Sequence, residues 1–149
     1  MTDTPWRTQM PPAARPGHLD RNAMEVLSRE ECLCLIGNVP VGRVAMIVGG
    51  VPVVVPVNFA LLDGDVVFRT GTGSKLVAAV ERSPLTLEVD SIDVAMRSGW
   101  SVLVTGGASE ITRPDELAAA AALDLQSWLP GRGRYIRIRS EEVSGRRLS

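Results

Sequence analysis

Lysine is almost missing from this chain: Lys75 is the only one among 16 basic residues, and the sole histidine is His18. Charge of either sign is also scarce in sum, since the formal net charge is −1. No long-range field therefore draws the protein to nucleic acid or to an anionic membrane, and any anion site must be local. His18 lies between Gly17 and Leu19 in a proline-bearing leader, away from the rigid surroundings that a catalytic histidine needs, so it is not expected to act. The two cysteines, Cys32 and Cys34, are two positions apart and fall on different faces of a helix. That spacing excludes a CxxC redox pair and speaks against a metal site, so both are expected as small core residues. Residues 1–22 hold four prolines and no apolar run long enough for a signal peptide or a membrane span, which points to a cytoplasmic protein. No acid–base dyad stands out, and no catalytic residue is assigned.

What is present suits one compact domain: 149 residues, of which 45% are hydrophobic and 22% charged, can build a core without metals or disulfides. Residues 1–22 read as an extended or disordered arm and residues 23–149 as the domain. Ser28 with Glu31 three residues later forms a capping box, Leu27 is a possible staple, and Leu33 and Ile36 give a helix an inward face before Gly37 ends it. From Gly42 the pattern turns to strands. GRVAMIV, VPVVVPVNFALL and VVFRT are joined by GG and DGD and read as an antiparallel meander. A short helix over residues 75–82 follows, then the strands LTLEVDSIDV and WSVLVTGGASEIT, a helix opened by Pro114 and Asp115, and the strand RYIRIRS. About six strands with only short helices between them imply a mainly β protein built as a small Greek-key barrel.

The turn FRTGTGSKL, residues 68–76, raises the functional question. A P-loop would place glycine directly before the lysine, and a dinucleotide fingerprint would need a third glycine within a βαβ unit; this turn has neither. A monophosphate fits: backbone N–H groups of residues 71–74, the hydroxyls of Thr70 and Ser74, and the charges of Arg69 and Lys75 can converge on one dianion. A plain hairpin turn with a solvated lysine is the competing reading. Pro52 and Pro56 interrupt an otherwise strong strand, which must be an edge or be bulged near Pro56. The backbone of Val55, Val57 and Asn58 is then open to a flat heterocycle with imide and carbonyl edges, or the prolines simply guard an edge against aggregation.

GRVAMI, VPVNFALLDGDVVFRTGTGSKL, LTLEVD and GWSVLVTGGASEI, in that order and spacing, resemble the pyridoxamine 5′-phosphate oxidase-like, FMN-binding split-barrel family, in particular its small bacterial flavoproteins. The likeness spans about residues 24–149 and implies a homodimer with flavin at the subunit interface. It puts Arg69, Thr70, Ser74 and Lys75 at the phosphate turn and Val55, Pro56, Val57 and Asn58 along the isoalloxazine edge. Trp100 and Ser101 fall where the opposite subunit reaches the cofactor. Ser101 stands where the oxidase itself carries glutamine, and that enzyme's C-terminal arginine and histidine pattern is missing, so vitamin B6 oxidation is not expected. The resemblance implies an FMN-dependent oxidoreductase acting on a small organic molecule. The deazaflavin F420 on the same barrel, or a non-enzymatic flavin-binding or sensing protein, are the alternatives. The arginine-rich run RGRYIRIRSEEVSGRRL either borders the site mouth or lines a solvated strand face.

Overall fold

A computed structural model describes Trp6, residues 15–71, Val80, residues 83–123, Leu125 and residues 133–149. Elements are β1 (Glu25–Val26), α1 (Arg29–Ile36), β2 (Val41–Val48), β3 (Val51–Leu62), β4 (Asp65–Thr70) and β5 (Leu85–Asp93). They continue with β6 (Ser98–Gly106), β7 (Ala108–Glu110), α2 (Pro114–Ala121), β8 (Arg134–Ile138) and β9 (Glu142–Leu148). The strands form one antiparallel sheet in the order β1-β9-β6-β5-β2-β3-β4-β8-β7, curled into a split barrel. The helix expected over residues 75–82 lies outside the described residues apart from Val80, which is buried in the core.

The meander forms as its turns dictate. Gly49–Gly50 and Asp63–Gly64 are two-residue loops with positive φ at both positions, the backbone that tight hairpins require. β3 serves two partners. Its residues Val51 to Asn58 pair with β2, and its residues Phe59 to Leu62 pair with β4, so the barrel splits at Asn58–Phe59. Among the described residues only β2 lies beside Val51 to Asn58 of β3, and the prolines therefore sit where the strand has an open edge.

The core lies inside the curl. Val44, Leu85, Leu87, Val102, Val104 and Ile136 alternate inward and are fully buried, while α1 plugs the barrel with Cys32 and Ile36. Helix α1 begins as its capping box requires: Ser28 Oγ accepts from Glu31 N at 3.2 Å and Glu31 Oε2 accepts from Ser28 N at 3.2 Å. The cysteines divide, which corrects one expectation: Cys32 is buried against β9, whereas Cys34, two positions on, is exposed on the opposite helix face. In β4 three successive residues, Val66, Val67 and Phe68, are buried, because both of its faces are covered. Val66 and Phe68 face the main core, and Val67 faces Ile111 and Ala120 beneath α2. The alanine run thus lets α2 lie close to the sheet.

The strand β9 was absent from the sequence reading, which left those residues in an arginine-rich tail. It pairs with β6 from Gly99↔Leu148 to Thr105↔Glu142 and carries β1 on its other side. Most arginines of this tail make structural ion pairs: Arg137 Nε with Asp65 at 2.9 Å, Arg134 with Glu110 at 3.5 Å and Arg147 with Glu25 at 3.9 Å. Part of the leading arm also joins the fold. Gly17 N donates to Val26 O, Leu19 bridges Glu25, and Asp20 receives Arg146 Nε at 3.1 Å.

Candidate functional site

The split in β3 places the first group of site residues. The N–H of Phe59 donates to Pro40 O, and the two-residue loop closes on Val48↔Val51, so the odd-numbered residues of this stretch turn their peptide groups toward β2. Val55 and Val57 are therefore committed to the ladder, and their side chains point into the core, where Val57 is buried. This corrects the expectation that their backbone faces a ligand. The peptide groups of Val54 and Pro56 face the open edge instead, and Pro56, having no N–H, leaves no donor unmet there. Pro56 and Asn58 turn their side chains to the outer face of the sheet, opposite Arg43 and Val41.

One step past the last β3–β4 pair, Phe59↔Phe68, the register sets Asn58 against Arg69. Arg69 is half-buried, and its guanidinium lies 5.9 Å from the ring centroid of Tyr135, its partner on β8. The missing side chain of Gly133 makes room for it: a Cβ there would lie 2.5 Å from Arg69 Nε and 2.8 Å from Thr70 O. Thr70 ends β4, and Gly71 leads into the glycine turn. Ser74 and Lys75 lie outside the described residues. The strand ends thus set Asn58 and Arg69 on one face of the sheet, with Thr70 next along β4 and alternate to them.

Trp100 and Ser101 do not join them within one chain. They lie on β6, and β5 and β2 separate β6 from β3. At roughly 4.8 Å per strand, Ser101 and Asn58 are about 14 Å apart along the sheet. Trp100 is half-buried against the core, and Ser101 is exposed on the outer face opposite Asp90 and Arg146. The outer face between the two groups is bare. Where α2 covers β4, nothing among the described residues covers Val41, Ile47, Val54 and Leu103, which are 40%, 50%, 61% and 43% exposed.

That face holds a charge cluster that sequence reading missed. Arg43 NH1 lies 3.5 Å from Glu88 and 3.8 Å from Asp90. Burial, followed by the Asp90 carboxyl beside it, pushes the Glu88 carboxyl up to about 7, with Arg43 pulling the other way. Alternation in LTLEVD is the signal that could have found it, because it sends Glu88 and Asp90 to the same face. Elsewhere Asp20 is held below its ordinary value by the N–H groups of Met24 and Asn22 and by Arg146. Among the described residues no cluster of histidine, cysteine or carboxylate could hold a metal, and no helix is long and apolar enough to cross a membrane.

The strand order and the curl of the antiparallel sheet define the split-barrel class. The chain belongs to the pyridoxamine 5′-phosphate oxidase family, which matches residues 28–147. The protein Rv0080 of Mycobacterium tuberculosis is 35% identical over 136 residues, covering 86% of this chain and 89% of its own. The FAD binding protein from Mycobacterium smegmatis is 34% identical with a TM-score of 0.72, over 83% of this chain and 99% of that one. A FAD-binding protein from Mesorhizobium loti is 26% identical with a TM-score of 0.67, over 85% and 99% respectively.

Proposed function

We propose that this protein is a flavin-binding oxidoreductase that works as a homodimer on a small organic molecule. The observation that carries the reading is the position of Asn58 one register step past the Phe59↔Phe68 pair, level with Arg69 near the end of β4, in a chain whose Trp100 and Ser101 are three strands away. The residues fit a flavin phosphate. Arg69 is fixed by Tyr135 and by the space at Gly133, and it offers a rigid fork of donors whose charge no pH near neutrality removes. Lys75 and the hydroxyls of Thr70 and Ser74 would complete the anion site, and Asn58 can both donate to and accept from an imide edge. Pro56 offers a flat apolar surface beside it. A second copy laid on the bare outer face would cover its exposed aliphatic side chains and could bring its own Trp100 and Ser101 to this site.

When bound, a flavin supplies hydride or single-electron transfer at its ring system. The chain's own part is to anchor the phosphate, orient the ring and exclude water. FMN needs only the single-phosphate site read from the turn; FAD is the second reading, favoured by the names of the two solved relatives. A visible spectrum of the purified protein, with chromatography of any released cofactor, tests the proposal. A flavin spectrum supports it, and the released compound distinguishes FMN from FAD. Absorption at the shorter wavelength of F420 would keep the barrel and change the cofactor. A protein that stays colourless after incubation with FMN and with FAD overturns it.

A further inference from the structure

On the outer face, side chains line up in rows that cross the strands β6, β5, β2 and β3. One row reads Leu103, Glu88, Arg43 and Pro56, and the row on one side of it reads Thr105, Thr86, Ala45 and Val54. With the β2–β5 register carried past Arg43↔Glu88, the row on the other side reads Ser101, Asp90, Val41 and Asn58. Arg43, Glu88 and Asp90 are the only charged side chains in these three rows, and exposed Val41, Val54 and Leu103 surround them. Within the chain Arg43 lies 3.5 Å from Glu88 and 3.8 Å from Asp90 with 56% of its side chain exposed, and exposed pairs of this length contribute little.

A bare face that carries both signs of charge fits a copy of itself if the symmetry sets unlike charges together. In a face-to-face contact the two-fold axis lies in the plane between the sheets. Run across the strands along the Arg43 row, it stacks Arg43 on Arg43 and Glu88 on Glu88. Run along β2 or along β5, it stacks one of the two on its own copy. Run along the strands midway between β2 and β5, it stacks Arg43 of each chain on Glu88 of the other. The rest of the face then matches as well, because Leu103 falls on Pro56, Thr86 on Ala45 and Thr105 on Val54. Such an axis keeps the strands of the two sheets aligned, and arginine and glutamate reaching from opposite sides bridge the gap of about 10 Å between stacked sheets. Each face brings one guanidinium and two carboxyls. Because Glu88 is pushed up to about 7, it keeps its proton about half of the time at neutrality, which reduces the excess of acid.

We propose that two copies of this chain join face to face about a two-fold axis between β2 and β5, with Arg43 of each pairing with Glu88 of the other. The same operation lays Ser101 of one chain over Asn58 of its partner, although three strand spacings separate them in a single chain. The axis follows from charge and symmetry on this face; only its role in completing a cofactor site rests on the flavin reading.

The test uses the full-length chain and reads assembly by sedimentation and native mass spectrometry at low salt, where charges are screened least. Arg43→Glu sets acid on acid across the axis and Glu88→Arg sets cation on cation, so each variant alone should dimerise roughly tenfold or more weakly than wild type. Mixed in equal amounts, the two should form a heterodimer that recovers most of this loss, because both cross-axis pairs are then of unlike sign. Each chain still carries its own like charges side by side in that mixture, so the recovery reports pairing between chains. Leu103→Lys and Pro56→Asp repeat the test if a charge variant fails to fold: they lie about 14 Å apart in one chain and face each other only across the axis. Leu117→Lys on α2 should leave assembly unchanged. A wild type that is monomeric at micromolar concentration, single variants that dimerise like wild type, or a mixture that stays monomeric would overturn the proposal. A visible spectrum of the wild-type sample keeps the two readings separate. A colourless dimer that follows the swap sinks the flavin and not the interface, and a yellow dimer that ignores it sinks the interface alone.

Discussion

The two ends of the outer sheet differ in what they leave open. At the β3–β4–β8 end the exposed features are polar and fixed: Arg69 is held against Tyr135, Asn58 stands beside it, and α2 seals the surface behind. At the β5–β6–β9 end the exposed features are apolar and unsealed, with Ile92, Val94 and Leu148 around a cavity floored by Gly99. One end can hold an anionic group and the other an apolar ring, yet a stretch of sheet keeps them apart in a single chain. The difference sets the proposed dimer a concrete task, which is to bring the polar end of one copy to the apolar end of the other.

The strongest way to break this comparison is complementation. Arg69→Ala should abolish flavin binding at one end, and Ser101→Arg should block it from the other. If the ends meet only between chains, co-expressing the two variants should yield mixed dimers that carry one intact site and one doubly damaged site. Statistical mixing then restores flavin in about a quarter of all sites, starting from almost none. A co-expressed sample that stays as colourless as its parents would place both ends in the same chain's site.

Next in size is the phosphate. Lys75→Ala removes one charge-assisted contact, worth about 1.5–3 kcal/mol. FMN affinity should therefore fall roughly ten- to hundredfold, measured by fluorescence titration. Riboflavin, without the phosphate, should bind the wild type and the variant alike; unchanged FMN affinity would reduce the turn to a turn. A smaller effect is expected at the apolar end. Trp100→Phe keeps most of the side-chain volume, so fold and dimer should persist while the flavin-dependent quenching of tryptophan emission falls, with Trp6 and Trp128 as background. Truncation to alanine is the wrong probe, since Trp100 also packs on the core and its loss there costs about 3–5 kcal/mol.

Much of the fold was legible because local rules and tertiary packing agree. The Ser28–Glu31 capping box and the Gly-Gly and Asp-Gly turns each have a mechanism that acts over four residues, and each formed as read. Strand β9 was missed because EVSGRRL alternates weakly: of its inward positions Val143, Gly145 and Arg147 only the first carries a hydrophobic side chain, and Gly145 packs beneath Cys32. The site was legible in residue type and only partly in direction. Proline pointed correctly to an open edge on β3, but which peptide groups face that edge depends on the register with β2, which the Gly49–Gly50 loop and the Phe59–Pro40 bond set together. The Arg43–Glu88–Asp90 cluster needs β2 and β5 to be neighbours, although some forty residues lie between them.

That cluster gives the smallest and most specific prediction, because it lies between the two ends. Glu88 faces Arg43 on β2, Asp90 on its own strand and Leu103 on β6. Its carboxyl titrates near 4.5 when the chain is unfolded and at about 7 when folded. Between those values the folded protein binds more protons than the unfolded one, so stability falls as pH rises through that window, and the loss is complete above it. The side chain is 29% exposed, so solvent screening holds the effect to the order of 1 kcal/mol. Asp20 does not interfere: its carboxyl is held low, so its contribution is present above its ordinary value of 3.8 and is lost only as pH falls below that. Thermal melts should show a midpoint that declines from pH 5 to pH 7.5, and Glu88→Gln should flatten that decline. If a second copy covers this face, desolvation of Glu88 deepens, and the wild-type dimer should be tighter at pH 6 than at pH 8 by more than the Glu88→Gln dimer is. A dimer constant with the same pH dependence in both proteins would put Glu88 outside the interface, and with it the strip of sheet that separates the two ends.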